Sequence, residues 1–157
     1  GKPNDGFRIA IAELAGGRIG IGSLALGVAT AAMDIARQYA SEREQFNSKI
    51  SDFQGIQWSM ADTYTELEAA RLLLMNAAYL KETGQSFMKQ AAMAKLYSTE
   101  AANRACYNAL QLMGGAGYTE EYPLERFARD VRVTTIYEGT SEIQRVIIGR
   151  ELLREIA

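Results

Sequence analysis

The segment Tyr137–Glu142 contains the residue types best suited to chemistry in this sequence. Glu138 lies in non-helical chain beside Gly139 and shortly before the predicted start of the last helix. A carboxylate held there could act as a general base, next to backbone N–H groups that could polarise a carbonyl. Ile136 and Tyr137 would desolvate the carboxylate and strengthen it as a base. The alternative is a structural acid stabilised by the helix N-terminus, and the residues alone leave both interpretations open.

Two other segments combine charge or glycine with a predicted helix end. Ser41–Phe46 ends the first long helix, where Arg43 could complement the helix dipole or hold a phosphate. Gln111–Tyr118 contains three glycines within Gly114–Gly117, more than a helix end needs, which would let backbone approach a flat or charged ligand. Gly20–Ala25 matches the dinucleotide fingerprint G-x-G-x-x-A. We reject that match because it lies inside a helical pattern, without the strand that the motif requires.

The composition excludes several classes of chemistry. The 157 residues include no His, which excludes Ser-His-Asp and Cys-His catalysis and His-based metal sites, and we expect no metal. The single Cys106 cannot form an internal disulfide, so a reducing compartment is compatible. The 17 basic and 19 acidic residues form no basic run, which makes nucleic acid and anionic membrane poor partners. Catalysis must therefore use carboxylates, Tyr, Lys, hydroxyls or a borrowed cofactor.

Helical periodicity predicts three long helices, over about residues 7–39, 53–81 and 87–113. The second has apolar side chains in two stripes, which indicates burial on more than one side. The third has a seam of small residues, which lets helices pack closely. The second stripe of the second helix comprises Trp58, Ala61, Leu72, Met75 and Tyr79, and the seam comprises Ala91, Ala94, Ser98, Ala101, Ala105 and Ala109.

Capping residues predict where these helices begin and end. Ser51 or Asp52 is suited to the N-cap of the second helix and Ser86 to that of the third. Gly84 is suited to the C′ position that closes the second.

The last part of the chain predicts a shorter fourth helix. Pro123 suits the first turn of a short helix through residue 129. Residues 131–137 are rich in β-branched side chains, which favour extended backbone locally, but we expect irregular chain there because no partner strand exists. A last helix begins near Thr140 or Ser141, where Ser141 and Gln144 form a capping-box pattern. The fold predicted is an all-α, up-down four-helix bundle with three long helices and a shorter C-terminal helix.

The first residues and the apolar stretches indicate whether the chain is part of a longer protein, whether it spans a membrane and whether another surface covers it. The turn-rich Gly1–Gly6 has no initiator Met and no secretory leader, so we expect a piece of a longer protein. The longest uncharged stretch, Ile19–Met33, is too short for a membrane span of about 20 residues, so none is predicted. Helices that are apolar on two sides need a further surface, from another domain or another subunit.

An ordered set of motifs resembles the acyl-CoA dehydrogenase family, in its short-chain, butyryl-CoA branch. The likeness extends over residues 1–157 and matches only the C-terminal helical domain of that family. The family's N-terminal helical domain and middle β domain are absent from this chain. The motifs are Gly16–Gly20, Arg43–Phe46, Gln111–Tyr118, Tyr122–Arg126, Arg129–Asp130 and Ile136–Gln144.

The resemblance implies FAD-dependent dehydrogenation of a short acyl-CoA thioester to the trans-2-enoyl-CoA. Glu138 matches the base that takes the α-proton while the β-hydrogen leaves as hydride to the flavin. Some relatives place the base on the first long helix, where this chain has Gly17, which cannot serve. Arg18, Tyr137 and Gly139 match positions that contact the substrate.

The resemblance also implies which residues contact FAD, and in the family some of them serve the FAD of a partner subunit. Asn47 replaces a usual Gly, which would reshape that turn, and Ala15 replaces a substrate-contacting Asp. The positions that match contacts to the partner's FAD are Arg43, Glu44, Gln45, Gln54, Gln111, Leu112, Met113, Gly114 and Gly115, and those that match the subunit's own site are Thr140, Ser141 and Glu142.

Partners follow from the same resemblance. They are an acyl-CoA substrate, an electron-transfer flavoprotein as acceptor, and further copies of the chain in a homo-oligomer built as a dimer of dimers. The compartment implied is a bacterial cytoplasm or the mitochondrial matrix, with a soluble protein. The alternatives are an acyl-CoA oxidase or related flavoprotein of the same fold, or a helical association module without chemistry. We expect the isolated chain to fold, to bind FAD poorly and to turn over little or nothing.

Overall fold

A computed structural model describes residues 1–156 and confirms the predicted all-α bundle. Three long helices are followed by a shorter C-terminal helix. The connections contain a hairpin of two strands, each two residues long, and two short helices. The helices are α1 (Gly6–Glu42), α2 (Gln54–Glu82), α3 (Met88–Met113), α4 (Gly115–Tyr118), α5 (Leu124–Arg132) and α6 (Ser141–Arg154), and the antiparallel strands are β1 (Glu44–Gln45) and β2 (Ser48–Lys49).

Helix α3 is the centre of the bundle and packs against α1, α2 and α6. Its predicted small seam is buried throughout, which confirms that prediction. A Cβ at Gly22 of α1 would lie 2.7 Å from Ser98 Oγ and 2.6 Å from Leu74 Cδ2, so the three helices meet closely there. The α1 face in this contact is also made of small residues, namely Ala15, Ala25, Ala29, Ala32, Ala36 and Ala40.

Only one of the two apolar stripes of α2 is covered within this chain. Leu67 and Leu74 are buried against the bundle, whereas the second stripe is exposed. Trp58 in that stripe is 63% exposed and Tyr79 is 62% exposed. A row of large apolar side chains in solvent is typical of a surface that another protein or domain covers.

The predicted caps of α2 and α3 are wrong by one or two residues. Phe53 precedes α2 and Phe87 precedes α3, and neither helix has a side-chain cap. Ile50–Asp52 instead forms a 3-10 turn, which places the two predicted capping residues inside a helical turn. Gly84 follows the last residues of α2 with φ +70°, as the C′ prediction requires.

The irregular chain predicted over residues 131–137 is wrong for residues 131–135, which are helical. Helix α5 continues to Arg132, and Val133–Thr135 forms a 3-10 turn. Val131 is buried in the main core, and Thr134 Oγ1 donates to its carbonyl at 2.6 Å. Burial of Val131 and this local hydrogen bond outweigh the β propensity of the segment.

Helix α1 is longer than the sequence prediction allowed. Its 37 residues include a window with a mean hydropathy of 1.7, which is long and apolar enough to cross a membrane. Length and composition do not separate a membrane span from the core helix of a bundle. The contact of its alanine face with α3 assigns α1 to the bundle.

Candidate functional site

The Glu138 loop, residues 136–140, joins the 3-10 turn to α6 and has an unusual backbone. Glu138 has φ +57° and Gly139 has φ +91°, so two consecutive residues are left-handed. A left-handed Glu is uncommon and costs conformational energy, which the surrounding contacts must offset. The loop ends at Thr140, the N-cap of α6, whose hydroxyl accepts from the Ile143 N–H at 3.4 Å. This confirms the predicted start of the last helix.

Two buried side chains from two helices hold the loop. The carbonyl of Gly139 accepts from Lys95 Nζ at 2.8 Å and from Gln144 Nε2 at 2.9 Å. Gln144 Nε2 also lies 3.2 Å from the carbonyl of Glu138. Lys95 was not predicted as a site residue, and Gln144 was predicted only as part of a capping-box pattern. The sequence did contain a signal for Lys95, because this lysine is next to Ala94, a residue of the small seam that the sequence predicts to be buried.

The carboxylate of Glu138 lies over Gly17 of α1. A Cβ at Gly17 would be 2.6 Å from Glu138 Oε2 and 3.1 Å from Cδ. Gly17 therefore makes room for the carboxylate, besides being unable to act as a base itself. Oε2 is buried and has no hydrogen-bond partner.

Arg18 lies beside this carboxylate and is only 6% exposed. Burial lowers the pKa of its guanidinium, and the charge of Glu138 opposes that shift. Among residues 1–156, the buried side-chain nitrogen and oxygen atoms without a partner are Arg18 Nε and Nη1, Glu138 Oε2 and Gln144 Oε1. All four belong to this one cluster. Buried polar atoms are nearly always paired, so their concentration here indicates a binding site.

The loop also presents backbone donors. In the described part of the chain, the N–H groups of Glu138 and Gly139 donate to no protein atom. The neighbouring side chain of Tyr137 is 37% exposed, as a residue lining an open pocket would be. The arrangement combines a carboxylate, a buried guanidinium and free backbone N–H groups.

The three residues predicted to contact the subunit's own FAD surround the start of α6. Thr140, Ser141 and Glu142 border a cavity of about 310 Å³. Ser141 is buried and its hydroxyl donates to Glu100 Oε1 at 2.6 Å, so its side chain is already engaged. Glu142 is exposed, and hydrogen bonds from its own backbone N–H and from Thr140 lower the pKa of its carboxyl.

A second group of predicted residues lines a groove at the far end of α1. The Arg43 groove has a volume of about 640 Å³. Its lining includes Arg43, Gln45 and the whole of 111–115, whereas the exposed Glu44 and Gln54 are not part of it. The hairpin that forms one wall turns through Phe46 and Asn47, both with positive φ. Asn is among the residues that tolerate this conformation best, so it can stand where the family has Gly.

The two groups of predicted residues do not converge within one chain. Arg18 lies on α1 and Arg43 directly follows it, and 25 residues at 1.5 Å per residue separate them by about 37 Å. The structure therefore brings Arg18, Tyr137, Glu138 and Gly139 together and keeps Arg43, Gln45 and 111–115 apart from them. No group of three His, Cys, Asp or Glu side chains suited to a metal occurs among residues 1–156.

Comparison with known proteins places this geometry in a family. Residues 4–153 match the family described as Acyl-CoA dehydrogenase, C-terminal domain. The human mitochondrial short-chain specific acyl-CoA dehydrogenase is 51% identical over 154 residues, which are 98% of this chain and 37% of that protein. The chain spans about two fifths of the length of the curated relatives that it matches.

Solved structures agree with the sequence matches. Butyryl-CoA dehydrogenase from Megasphaera elsdenii superimposes with a TM-score of 0.96 at 44% identity, over 98% of this chain and 40% of that one. A chain in a structure described as the electron transferring flavoprotein of Acidaminococcus fermentans matches with a TM-score of 0.96 at 47% identity. That match covers 98% of this chain and 40% of that one.

Proposed function

Since this chain belongs to the acyl-CoA dehydrogenase family, we propose that it is the C-terminal helical domain of a longer enzyme that dehydrogenates short acyl-CoA thioesters. The N-terminal helical domain and the middle β domain of the family would precede it. The observation that carries the proposal is the Glu138 carboxylate, with one buried and unpartnered oxygen held over Gly17 and beside Arg18. The short-chain substrate class rests on the relatives, which include short-chain and butyryl-CoA dehydrogenases.

Glu138 would take the proton from the α-carbon of the thioester. A proton at that position is weakly acidic, so the carbonyl must be polarised as the base acts. The free N–H of Glu138 is a donor of the kind that stabilises the developing enolate oxygen. Tyr137 would line the acyl pocket, and Gly139 would leave room beside the thioester. Arg18 would supply positive charge next to the carboxylate that receives the proton.

The residues present fit FAD as the cofactor. Unpartnered buried atoms at Arg18 and Glu138 indicate a binding site at the Glu138 loop, and Thr140 and Glu142 border the adjoining cavity. The chemistry that bound FAD supplies is acceptance of the β-hydrogen as hydride, which completes the oxidation to the enoyl thioester. Thr140, Ser141 and Glu142 would hold the subunit's own FAD, with Ser141 acting through its backbone because its hydroxyl is engaged by Glu100.

We propose that the Arg43 groove serves the FAD of a partner subunit. Its lining is mostly apolar, but Arg43, Gln45 and Gln111 supply polar groups that suit a phosphate-containing ligand, and about 37 Å along α1 separates it from Arg18. The exposed stripe with Trp58 and Tyr79 would then be covered in the homo-oligomer, a dimer of dimers. Glu44 and Gln54, which lie outside the groove lining, would contact the same FAD from its rim.

An electron-transfer flavoprotein would reoxidise the flavin. This acceptor is supported by the 47% identical chain that occurs in a structure of an electron transferring flavoprotein. It favours a dehydrogenase over an acyl-CoA oxidase, which would pass its electrons to oxygen. A bacterial cytoplasm and the mitochondrial matrix both suit such an enzyme, and the relatives include both bacterial and mitochondrial proteins.

The exposed α2 stripe favours a second candidate, a helical association module without chemistry of its own. One experiment separates the two functions. The complete enzyme would be purified with FAD and mixed anaerobically with butyryl-CoA, and the absorbance of the oxidised flavin followed. Glu138→Gln is the test variant, and Glu82→Gln at the exposed end of α2 is the matched control.

We expect rapid bleaching in the wild type and in Glu82→Gln, and a rate about 10²–10⁴-fold lower in Glu138→Gln. Equal bleaching in all three proteins would keep a flavoenzyme and remove Glu138 as the base. No bleaching in any of them, with short or long acyl-CoAs, would leave the association module as the function of this chain.

A further inference from the structure

We propose that Lys95 and Gln144 are positioning residues that clamp the left-handed Glu138–Gly139 pair and thereby aim the Glu138 carboxylate at its substrate. This inference rests on the proposed function for its catalytic consequence. Its structural part, that the two side chains order the loop, stands on the geometry alone.

The clamp is built from hydrogen bonds to backbone carbonyls. Lys95 on α3 and Gln144 on α6 both donate to the carbonyl of Gly139, and Gln144 also donates to that of Glu138. Glu138 has φ +57° and Gly139 has φ +91°, so the two residues need outside contacts to stay in this conformation. A Cβ at Gly139 would lie 2.7 Å from Gln144 Nε2, which shows how closely the amide approaches.

The burial of Lys95 is costly for stability. Its side chain is 0% exposed, and the ion pairs among residues 1–156 do not include it. Burial lowers the pKa of its ammonium, while the charges of Glu100 and Glu138 oppose the shift. An apolar side chain of similar length would avoid the loss of hydration. A charged donor at this position is therefore explained by what it holds rather than by the stability of the bundle.

The clamp sets the direction of the carboxylate. With both carbonyls held toward α3 and α6, the Glu138 side chain lies over Gly17, and the N–H groups of Glu138 and Gly139 stay unpaired. A base and an oxyanion donor on the same residue must both be in place when the proton moves. Displacement of the loop by about 1 Å would reduce the rate about 10²-fold while leaving the rest of the substrate site intact.

Two variants of the complete FAD-containing enzyme test the clamp, Lys95→Met and Gln144→Met. Lys89→Met is the matched control, because Lys89 lies on the same helix but pairs with Glu155 near the end of the chain. Three quantities are measured. They are amide hydrogen exchange of the peptide covering 136–140, the melting temperature, and the rate of flavin reduction at saturating butyryl-CoA together with the substrate Kd.

We expect faster exchange at 136–140 in both test variants, with α1 and α2 unchanged. Flavin reduction should slow about 10- to 100-fold while the substrate Kd changes less than about 3-fold. The melting temperature of Lys95→Met should be equal to or higher than that of the wild type. If Lys95 served only to stabilise the bundle, its replacement would lower the melting temperature. The double variant should be little slower than either single variant, because the loss of either donor already releases the loop.

Several outcomes would overturn the proposal. They are unchanged exchange at 136–140 in both variants, faster exchange with an unchanged rate, an effect of equal size in Lys89→Met, or loss of folding in both test variants. If only Lys95→Met fails to fold, Gln144→Met decides. If the wild type reduces no flavin with any acyl-CoA, the proposed function fails, and the exchange data still show whether the clamp orders the loop.

Discussion

The Glu138 loop packs on α1 at Gly17 and the Arg43 groove lies at the C-terminal end of α1, and the two regions differ in how much of their structure this chain supplies. The loop is held by Lys95 and Gln144, and its carboxylate is seated on Gly17. The groove is open, and Phe46 in its wall is 90% exposed. The carboxylate is thus positioned by contacts within the chain, whereas the groove has one side open to solvent.

Under the proposed function, this difference separates two kinds of residue within a single domain. Residues of the loop would act through internal contacts, so their substitution would disturb geometry inside the chain. Residues of the groove would act on a molecule held by another subunit, so their substitution would leave the bundle intact. The two regions should therefore respond differently to mutation, in size and in whether the defect can be complemented.

Apart from removal of the carboxylate itself, the largest effect is expected from Gly17→Ala in the complete enzyme. The added Cβ would meet Glu138 Oε2 at 2.6 Å, and the flexible carboxylate would move rather than α1. We expect flavin reduction by butyryl-CoA to slow about 10²-fold, since the base is displaced from its working position. Stopped-flow measurement of the reduction rate tests this.

Gly20→Ala is the matched control on the same helix. Nothing lies within 4 Å of a Cβ there, and Gly20 is exposed. It should leave the reduction rate unchanged and increase the free energy of unfolding by about 0.5–1 kcal/mol, because alanine loses less backbone entropy than glycine. A Gly17→Ala enzyme as fast as Gly20→Ala would show that the carboxylate does not depend on the space above Gly17.

The next largest effect is a recovery of activity in mixed oligomers. Glu138→Gln damages the loop and Arg43→Glu damages the groove. If the groove serves a partner's FAD, a hybrid of the two variants combines both defects in one site and leaves the other site intact. Differently tagged variants would be co-expressed and the hybrid purified through both tags. We expect about half of the wild-type activity per hybrid dimer, because one of its two sites contains no defect.

Each variant alone provides the baseline for this experiment. Arg43→Glu alone should weaken FAD binding about 10-fold or more, the loss of one charge-assisted contact to a phosphate. Arg8→Glu, an exposed arginine near the other end of α1, should bind FAD as the wild type does. A hybrid no more active than its parents would place the loop and the groove at the same subunit's site.

A smaller effect on stability is expected from Gly139→Ala. Gly139 has φ +91°, and an added Cβ would lie 2.7 Å from the buried Gln144 amide. The free energy of unfolding should fall by about 1–3 kcal/mol from backbone strain. Gly84→Ala is the comparison, with φ +70° and nothing within 4 Å, and it should cost only the roughly 1–2 kcal/mol of a left-handed alanine. Urea denaturation followed by circular dichroism measures both.

The sequence predicted the parts of this site that depend on neighbouring residues. Glu138 beside Gly139, and the helix start at Thr140, follow from local turn and capping chemistry, and the structure has the helix start where it was predicted. The contact of Lys95 with Gly139 joins residues 44 positions apart, and no local pattern encodes it. The irregular chain expected at 131–137 is helical over residues 131–135 for the same reason, because burial of Val131 in the core decides that segment.

The groove shows where a family resemblance and local geometry differ. Arg43, Gln45 and 111–115 were predicted as one group of contacts, and they do line one groove. Glu44 and Gln54 were placed in the same group but lie outside its lining. Glu44 and Gln45 form β1, where neighbouring side chains point to opposite faces, so only Gln45 of the two faces the groove.

The smallest effect is expected in the reactivity of Cys106, which lies in the core between the two regions. Cys106 lies on α3 between Lys95 and Gln111, and burial raises the pKa of its thiol to about 12. A raised pKa contributes stability that is present below the ordinary value of 9.0 and is lost as the pH rises toward 12. At pH 8 the thiol should react with a disulfide reagent only as fast as the enzyme unfolds, measured as the difference between wild type and Cys106→Ala. Rapid reaction in the folded enzyme would mean that this core opens without global unfolding. The loop and the groove could then no longer be treated as independent regions.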